Sequence, residues 1–299
     1  TKTLQKIVGR QAAQQFRYFN NFGQARPNDV DVVLCDEAHR IRSTSNHRFT
    51  RAAQRSDRPQ IQEIIESARV SVFFVDDQQV VRPNEIGSSN LIRTMASEHG
   101  CVLHENWLET QFRCGGSEGF VNWLDNTLQV RKTANVLFDQ NQETFEFGIT
   151  SSPEALDDMI RGKAREGHSA RLVAGYCWHW SSTLGEDGQL VRDVRIGSFE
   201  RAWNARPDMT GLPDGVPKSD FWAYEPAGIE QVGCIYTAQG FEFDYVGVIW
   251  GRDLRYVPGE GWVGDRSISQ DTPVRGSKDR FLELVRNTYR VLLSRGMKG

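Results

Sequence analysis

Two short apolar runs, each ending in acidic residues, constrain this chain more than anything else in it. Val30-Asp31-Val32-Val33-Leu34-Cys35 runs straight into Asp36-Glu37-Ala38-His39, and Val70-Ser71-Val72-Phe73-Phe74-Val75 runs into Asp76-Asp77-Gln78-Gln79. Each run is too short for a helix of normal length and is rich in β-branched and aromatic residues, so each reads as a buried strand. Helical patterns between such strands point to a mainly parallel sheet. In such sheets ligands gather at the carboxyl ends of the strands. Both acidic tetrapeptides fall at that end.

The rest of the chain alternates in the same way. A helical pattern covers Leu4 to Phe22, and a polar loop covers Arg40 to Arg58. Pro59 suits the first turn of a helix running to Ala68. Ser88 or Ser89 caps a helix that stops near Gly100, and Cys101 to His104 is a short strand candidate. Ser117 to Leu128 is a helix with Phe120, Trp123 and Leu124 on one face. Ser152-Pro153-Glu154 starts another helix, and Gly167 stops it. Arg171 to Trp178 is a third apolar strand.

Ser181 to Gly228, rich in Gly, Pro and Asp, reads as an insertion with a hairpin between Gln189–Val191 and Val194–Ile196. Val232–Tyr236 and Tyr245–Trp250 are strands around a loop, and Ser277 caps a last helix through Leu293. Strands alternating with helices predict an α/β fold with a mainly parallel sheet.

Composition removes several function classes. A chain of 299 residues with 38% hydrophobic and 10% aromatic residues is globular, since disordered chains are poorer in both. A net charge of −3 excludes a protein coated in basic surface, although Arg275 to Gly299 is locally basic. The five cysteines are scattered, with no Cys-x-x-Cys and no zinc spacing, as in a cytoplasmic protein with reduced thiols. No apolar run is long enough to span a membrane, so no membrane partner is expected.

Three more strings complete a pattern: Gln111-Phe112-Arg113; Tyr236-Thr237-Ala238-Gln239-Gly240-Phe241-Glu242-Phe243-Asp244; and Asn287-Thr288-Tyr289-Arg290-Val291-Leu292-Leu293-Ser294-Arg295. With the two acidic strand ends, and in this order, they resemble the later motifs of superfamily 1 helicases. The nearest likeness is the Schlafen-like DNA/RNA helicase domain found widely in bacterial proteins. The resemblance covers nearly the whole chain, and its most specific parts are Thr237–Asp244 and Arg290–Arg295.

The resemblance implies two RecA-like P-loop NTPase lobes, about 1–110 and 111–299, the first incomplete and the second with an insertion near 181–230. It implies ATP and Mg²⁺ as cofactors and single-stranded DNA or RNA as the track. Asp36 would hold the metal and Glu37 would be the catalytic base. The Gln79 amide would orient the attacking water, a role its neighbour Gln78 shares as a candidate. Arg113 and Arg295 would supply cations to the transferring phosphoryl group. Gln239, Gly240 and Glu242 would contact the nucleotide, with Glu242 on the ribose, and Thr237 would face nucleic-acid phosphate.

Each role has a plainer rival. Asp36-Glu37 can cap the next helix, and Asp76–Gln79 can be a surface turn. Arg113 can be an ion-pair partner, Arg295 can answer a helix dipole, and Gln239-Gly240 can be a sheet-edge turn. Arg290 is structural or phosphate-contacting, without preference. Trp178 and Trp180 can stack on bases, but core packing is favoured, as it is for Trp203 and Trp222.

One motif is missing. A phosphate cradle needs Gly-x-x-x-x-Gly-Lys-Ser/Thr, and the nearest string, Gly162-Lys163-Ala164, lacks the first glycine and the hydroxyl and sits inside a predicted helix. The expectation is that the cradle lies upstream of Thr1 and that this chain alone is inactive. The rival functions are a non-hydrolysing nucleic-acid or protein docking module beside a fused or partner effector domain, and an NTP-driven signalling switch in bacterial defence.

Overall fold

The computed structural model describes residues 5, 8–47, 50–108, 113–139 and 143–299, with Arg10 and Arg113 described by their backbone alone. The chain divides into two compact units, Thr1–Trp107 and Leu108–Gly299.

The first unit carries α1 (Gly9–Ala13), β1 (Val30–Cys35), α2 (Gln60–Ser67), β2 (Ala68–Phe73) and α3 (Ser89–Glu98). β1 and β2 pair in parallel, Val30 opposite Ala68 and Cys35 opposite Phe73. α2 buries Ile61, Ile64 and Ile65, which share one face at helical spacing. They pack with Phe22, Cys35, Ile41, Ile92 and Met95, and with Val33, Phe73 and Val75 from the same sheet face. The opposite sheet face is largely exposed among the described residues. It carries Val32, Leu34, Val70 and Phe74, whose exposure runs from 47% to 66%. Ser88 caps α3 as expected, its hydroxyl accepting the Leu91 N–H at 3.1 Å.

Two expected elements of this unit differ. Of the helix expected over Leu4–Phe22, the described residues show Gln5 and Gly9–Ala13 as helical, with a separate 3₁₀ turn at Phe19–Asn21. The Asn21 side chain accepts the Tyr18 N–H at 2.9 Å, offering the backbone an alternative to continuing the helix. Cys101–His104 forms no strand. Val102 is exposed, and among the described residues no strand lies beside it to complete a ladder.

The second unit begins with α4 (Glu118–Thr127), α5 (Pro153–Arg165) and β3 (Ala170–Ala174). Then come β4 (Val194–Ile196), β5 (Phe199–Trp203), β6 (Gln231–Cys234), α6 (Ile235–Ala238) and β7 (Tyr245–Ile249). A hairpin of β8 (Leu254–Val257) and β9 (Gly261–Gly264) follows, and α7 (Thr272–Gly276) and α8 (Phe281–Leu293) close the chain. The main sheet has the order β4-β5-β6-β3-β7 and is parallel except for β4 against β5. Central β3 is buried along its whole length, with α5 packed on β3 and β7 and α8 on β7. The mixed α/β fold with mainly parallel sheets matches the sequence reading.

The differences here are local. The hairpin pairs Val194–Ile196 with Phe199–Trp203, not with Gln189–Val191. Gly197 supplies the positive φ (+59°) of a two-residue turn, and β5 continues into the main sheet, so part of the expected insertion is sheet. The strand expected through Tyr236 ends at Cys234, where the chain turns into α6. The Ser277 hydroxyl donates to the Val274 carbonyl and caps nothing; Asp271 caps α7 instead. Trp180, Trp203 and Trp222 are buried, and the indole N–H of Trp178 is tied to the Arg195 carbonyl, so this aromatic group is packing. Gly162 and Lys163 lie inside α5, with Lys163 paired to Glu146, so they form no phosphate cradle.

Candidate functional site

In the first unit the two acidic strand ends lie side by side, because their strands are parallel neighbours. The Ala38 N–H reaches the Phe74 carbonyl at 2.8 Å and locks the two loops together. Glu37 sits at φ +54°, ψ +44°, a left-handed backbone that an L side chain adopts only when its surroundings hold it there. One such restraint is Gly87. Its missing side chain leaves room for the Ala38 carbonyl, which would lie 1.9 Å from a Cβ. The N–H groups of Ile86 and Gly87 also bind the Ile41 carbonyl, at 2.8 and 3.2 Å.

Asp36 is exposed. Its Oδ1 accepts the Glu37 N–H at 3.0 Å, and its Oδ2 has no hydrogen-bond partner among the described residues. The Glu37 carboxylate lies 3.2 Å from Nε2 of His39, which is only 1% exposed, and 3.9 Å from Nε of Arg40. The motif contained His39, but sequence reasoning gave it no role; its ring is buried beside the Glu37 carboxylate.

On the second strand, Asp76 caps a 3₁₀ turn, accepting the Gln78 N–H at 3.0 Å through Oδ1 and the Gln79 side-chain amide at 2.8 Å through Oδ2. Gln79 is buried and Gln78 half-buried. Asp77 fixes the start of α3 by accepting the Ser89 N–H at 2.9 Å. Asp36, Glu37, Asp76 and Gln79 thus share one loop edge. No three acidic, Cys or His groups converge as a metal cage among the described residues. Mg²⁺ bound by one or two carboxylates and completed by phosphate oxygens and water needs no such cage, so the open carboxylate oxygen of Asp36 fits it.

In the second unit the last two strings are stitched together. The Phe243 N–H binds the Arg295 carbonyl at 2.9 Å, and the Met297 N–H binds the Phe243 carbonyl at 2.7 Å. Arg295 is 2% exposed; its guanidinium donates to the Gln239 carbonyl at 2.9 Å and to the Val291 carbonyl at 3.1 Å. The Thr237 hydroxyl accepts the Asn204 amide at 3.0 Å, and Asn204 also binds both partners of β6, the Val232 carbonyl and the Cys234 N–H. Glu242 is exposed. No atom lies within 4 Å of where a Cβ on Gly240 would sit, so the space beside that backbone is open. Arg290 is structural: it forms a buried ion pair with Asp125. Gln111, Phe112 and the side chain of Arg113 lie outside the described residues.

Over residues 1–299 the chain matches the family described as Schlafen group 3, DNA/RNA helicase domain. The chain belongs to that family. A relative in Saccharomyces cerevisiae, Uncharacterized protein YPL245W, is 23% identical over 96% of this chain and 67% of its own length. No solved structure matches the chain. In this Schlafen-family domain, among the described residues, no helix is long and apolar enough to cross a membrane.

The aromatic cleft beside β8 and β9 was missed in the sequence. Trp250, Tyr256 and Trp262 lie six residues apart in separate strings, and the hairpin sets the last two directly opposite each other.

Proposed function

We propose that this Schlafen-family domain is the core of an ATP-dependent helicase or translocase of superfamily 1 type, built as two RecA-like lobes. The observation that carries the reading is the shared edge of β1 and β2, where Asp36, Glu37, Asp76 and Gln79 stand on adjacent parallel strands with Glu37 in a left-handed backbone. Asp36 would hold Mg²⁺ with ATP. Bound there, the ion would neutralise charge on the β- and γ-phosphates. Glu37, beside His39 and Arg40, takes a proton from water. Gln79, held by Asp76 on the neighbouring strand, reports what occupies the edge. Gln239, Gly240 and Glu242 contribute to the nucleotide site, and Thr237 faces nucleic-acid phosphate. Arg113 and Arg295 supply cations, and Arg295 must first leave the Gln239 carbonyl to do so.

The test is ATP hydrolysis by the full-length gene product, with and without single-stranded DNA and RNA, beside Glu37→Gln. Strand-stimulated hydrolysis is expected, with the variant slower by about 10²–10⁴-fold. An unchanged rate in Glu37→Gln would refute the mechanism. The engagement of Arg295 by two main-chain carbonyls favours a second reading, a non-hydrolysing docking module. Strand binding by an intact protein that hydrolyses nothing would decide for it.

A further inference from the structure

We propose that the cleft beside the β8–β9 hairpin is a binding site for single-stranded nucleic acid, with its aromatic rings stacking on bases and Arg252 and Arg255 contacting phosphates. This rests on the nucleic-acid part of the reading above and not on its hydrolytic part. The cleft has a volume of about 770 Å³, within the range of about 300–1,000 Å³ usual for ligand sites.

Its aromatic wall is ordered in advance. Trp250 stacks on Tyr289, with ring centroids 4.1 Å apart and planes 13° off parallel, and on Trp262 at 5.5 Å and 30°. Tyr289 is buried in α8 and fixed by hydrogen bonds to Asp253 at 2.6 Å and from the Gly251 N–H at 2.8 Å. The indole N–H of Trp250 is bound by the Leu254 carbonyl and that of Trp262 by the Thr127 carbonyl, each at 2.7 Å. Neither indole therefore has a polar edge left to satisfy. Tyr256, directly across the hairpin from Trp262, meets it edge to face at 5.5 Å and is 58% exposed.

The charge around these rings suits a polyanion. Arg252 and Arg255 are exposed at the cleft, and neither makes an ion pair among the described residues. The single acid in the lining, Asp265, accepts the Ser267 N–H at 2.9 Å and the Ser267 hydroxyl at 2.6 Å and interacts electrostatically with Arg255, so the two arginines outweigh it by one charge. A run of bases is the partner that uses both features. Every base offers a π-face whatever the sequence, and its phosphates follow at regular spacing. Arginine can meet those phosphates through a two-pronged contact.

The test measures binding of a fluorescein-labelled 15-nucleotide oligo(dT), and of oligo(U), to the full chain over a range of salt. Tyr256→Ala should raise Kd about tenfold, while Tyr256→Phe, which keeps the π-face, should bind as wild type. Arg252→Ala combined with Arg255→Ala should flatten the dependence of log K on log salt by about 1.4. Equal circular dichroism spectra and melting temperatures establish that the variants are folded. If wild type binds and these variants match it in Kd and salt slope, this inference fails and the strand binds elsewhere. If wild type binds neither oligonucleotide, both this inference and the nucleic-acid half of the proposed function fall. If only self-association changes in Tyr256→Ala, the cleft is an interface between copies of the chain and the inference is wrong.

Discussion

β1 and β3 are the same kind of strand by composition, yet their surroundings are opposite. Val30–Cys35 and Ala170–Ala174 are both short, mostly apolar and parallel to their neighbours. Every residue of β3 is buried, between two neighbouring strands and against α5. Among the described residues β1 has one strand neighbour and one covered face, and Val32 and Leu34 point away from the core. Apolar composition therefore reports the burial a strand is suited to, while packing decides the burial it has. The acidic candidate site stands on the less covered of the two sheets.

The largest effect should separate charges on the two sides of this contrast. Asp125 is fully buried and accepts from Arg290 and Arg131 in the second unit. Asp31 and Arg69, 3.6 Å apart across β1 and β2, are exposed by 85% and 71%. Asp125→Ala leaves the Arg290 guanidinium buried without its partner and should cost about 3–5 kcal/mol. Asp31→Ala should cost less than about 1 kcal/mol. Urea unfolding of both variants measures the two values, and similar losses would erase the contrast.

Leucines on the two strands should differ next. Leu172 lies fully buried at the centre of β3, whereas Leu34 is 66% exposed. Leu172→Ala should cost about 2–5 kcal/mol, through lost burial and the cavity it leaves. Leu34→Ala should change stability by no more than about 0.5 kcal/mol. A large loss in Leu34→Ala would mean that β1 is covered on both faces in solution.

Glu37→Gly bears on why the site sits where it does. Glycine adopts φ +54° without strain, and the relief of about 1 kcal/mol offsets its greater entropy loss on folding. Thermal unfolding should show Glu37→Gly as stable as wild type, to within about 1 kcal/mol, while hydrolysis by the full-length protein is lost. A clear destabilisation would mean that contacts of the Glu37 side chain hold the loop, and that the left-handed backbone stores no strain.

Much of this was legible because the signals were local. The apolar runs, the Ser88 cap, the helix starts at Ser117 and Ser152 and the stop at Gly167 depend on neighbours along the chain, and the structure has them. The side-by-side placement of Asp36 and Asp76 followed from strand parallelism. What the sequence hid depends on distant partners. The hydroxyl of Thr237 is claimed by Asn204, the guanidinium of Arg295 by the Gln239 carbonyl, and the indole N–H of Trp262 by Thr127. β4 chose its partner through the turn at Gly197, although Gln189–Val191 is as apolar a neighbour.

The smallest expected effect tests whether the ends of the second sheet are held by charge. The Asp244 carboxylate is held below the usual range, first by the Lys298 ammonium and then by the Ser169 N–H and hydroxyl. Because the folded pKa is the lower one, this contribution is fully present above the ordinary aspartate value near 3.9 and disappears as pH falls through the folded value. The group is partly exposed, so screening keeps the effect small. Wild type should therefore unfold at a slightly higher urea concentration than Asp244→Asn at pH 6. The two midpoints should converge as the pH is lowered past the folded value. A gap that stays constant with pH would assign the role of Asp244 to its neutral hydrogen bonds to Ser169, which asparagine only partly replaces, and would leave charge out of what fastens β3 and β7 to the end of the chain.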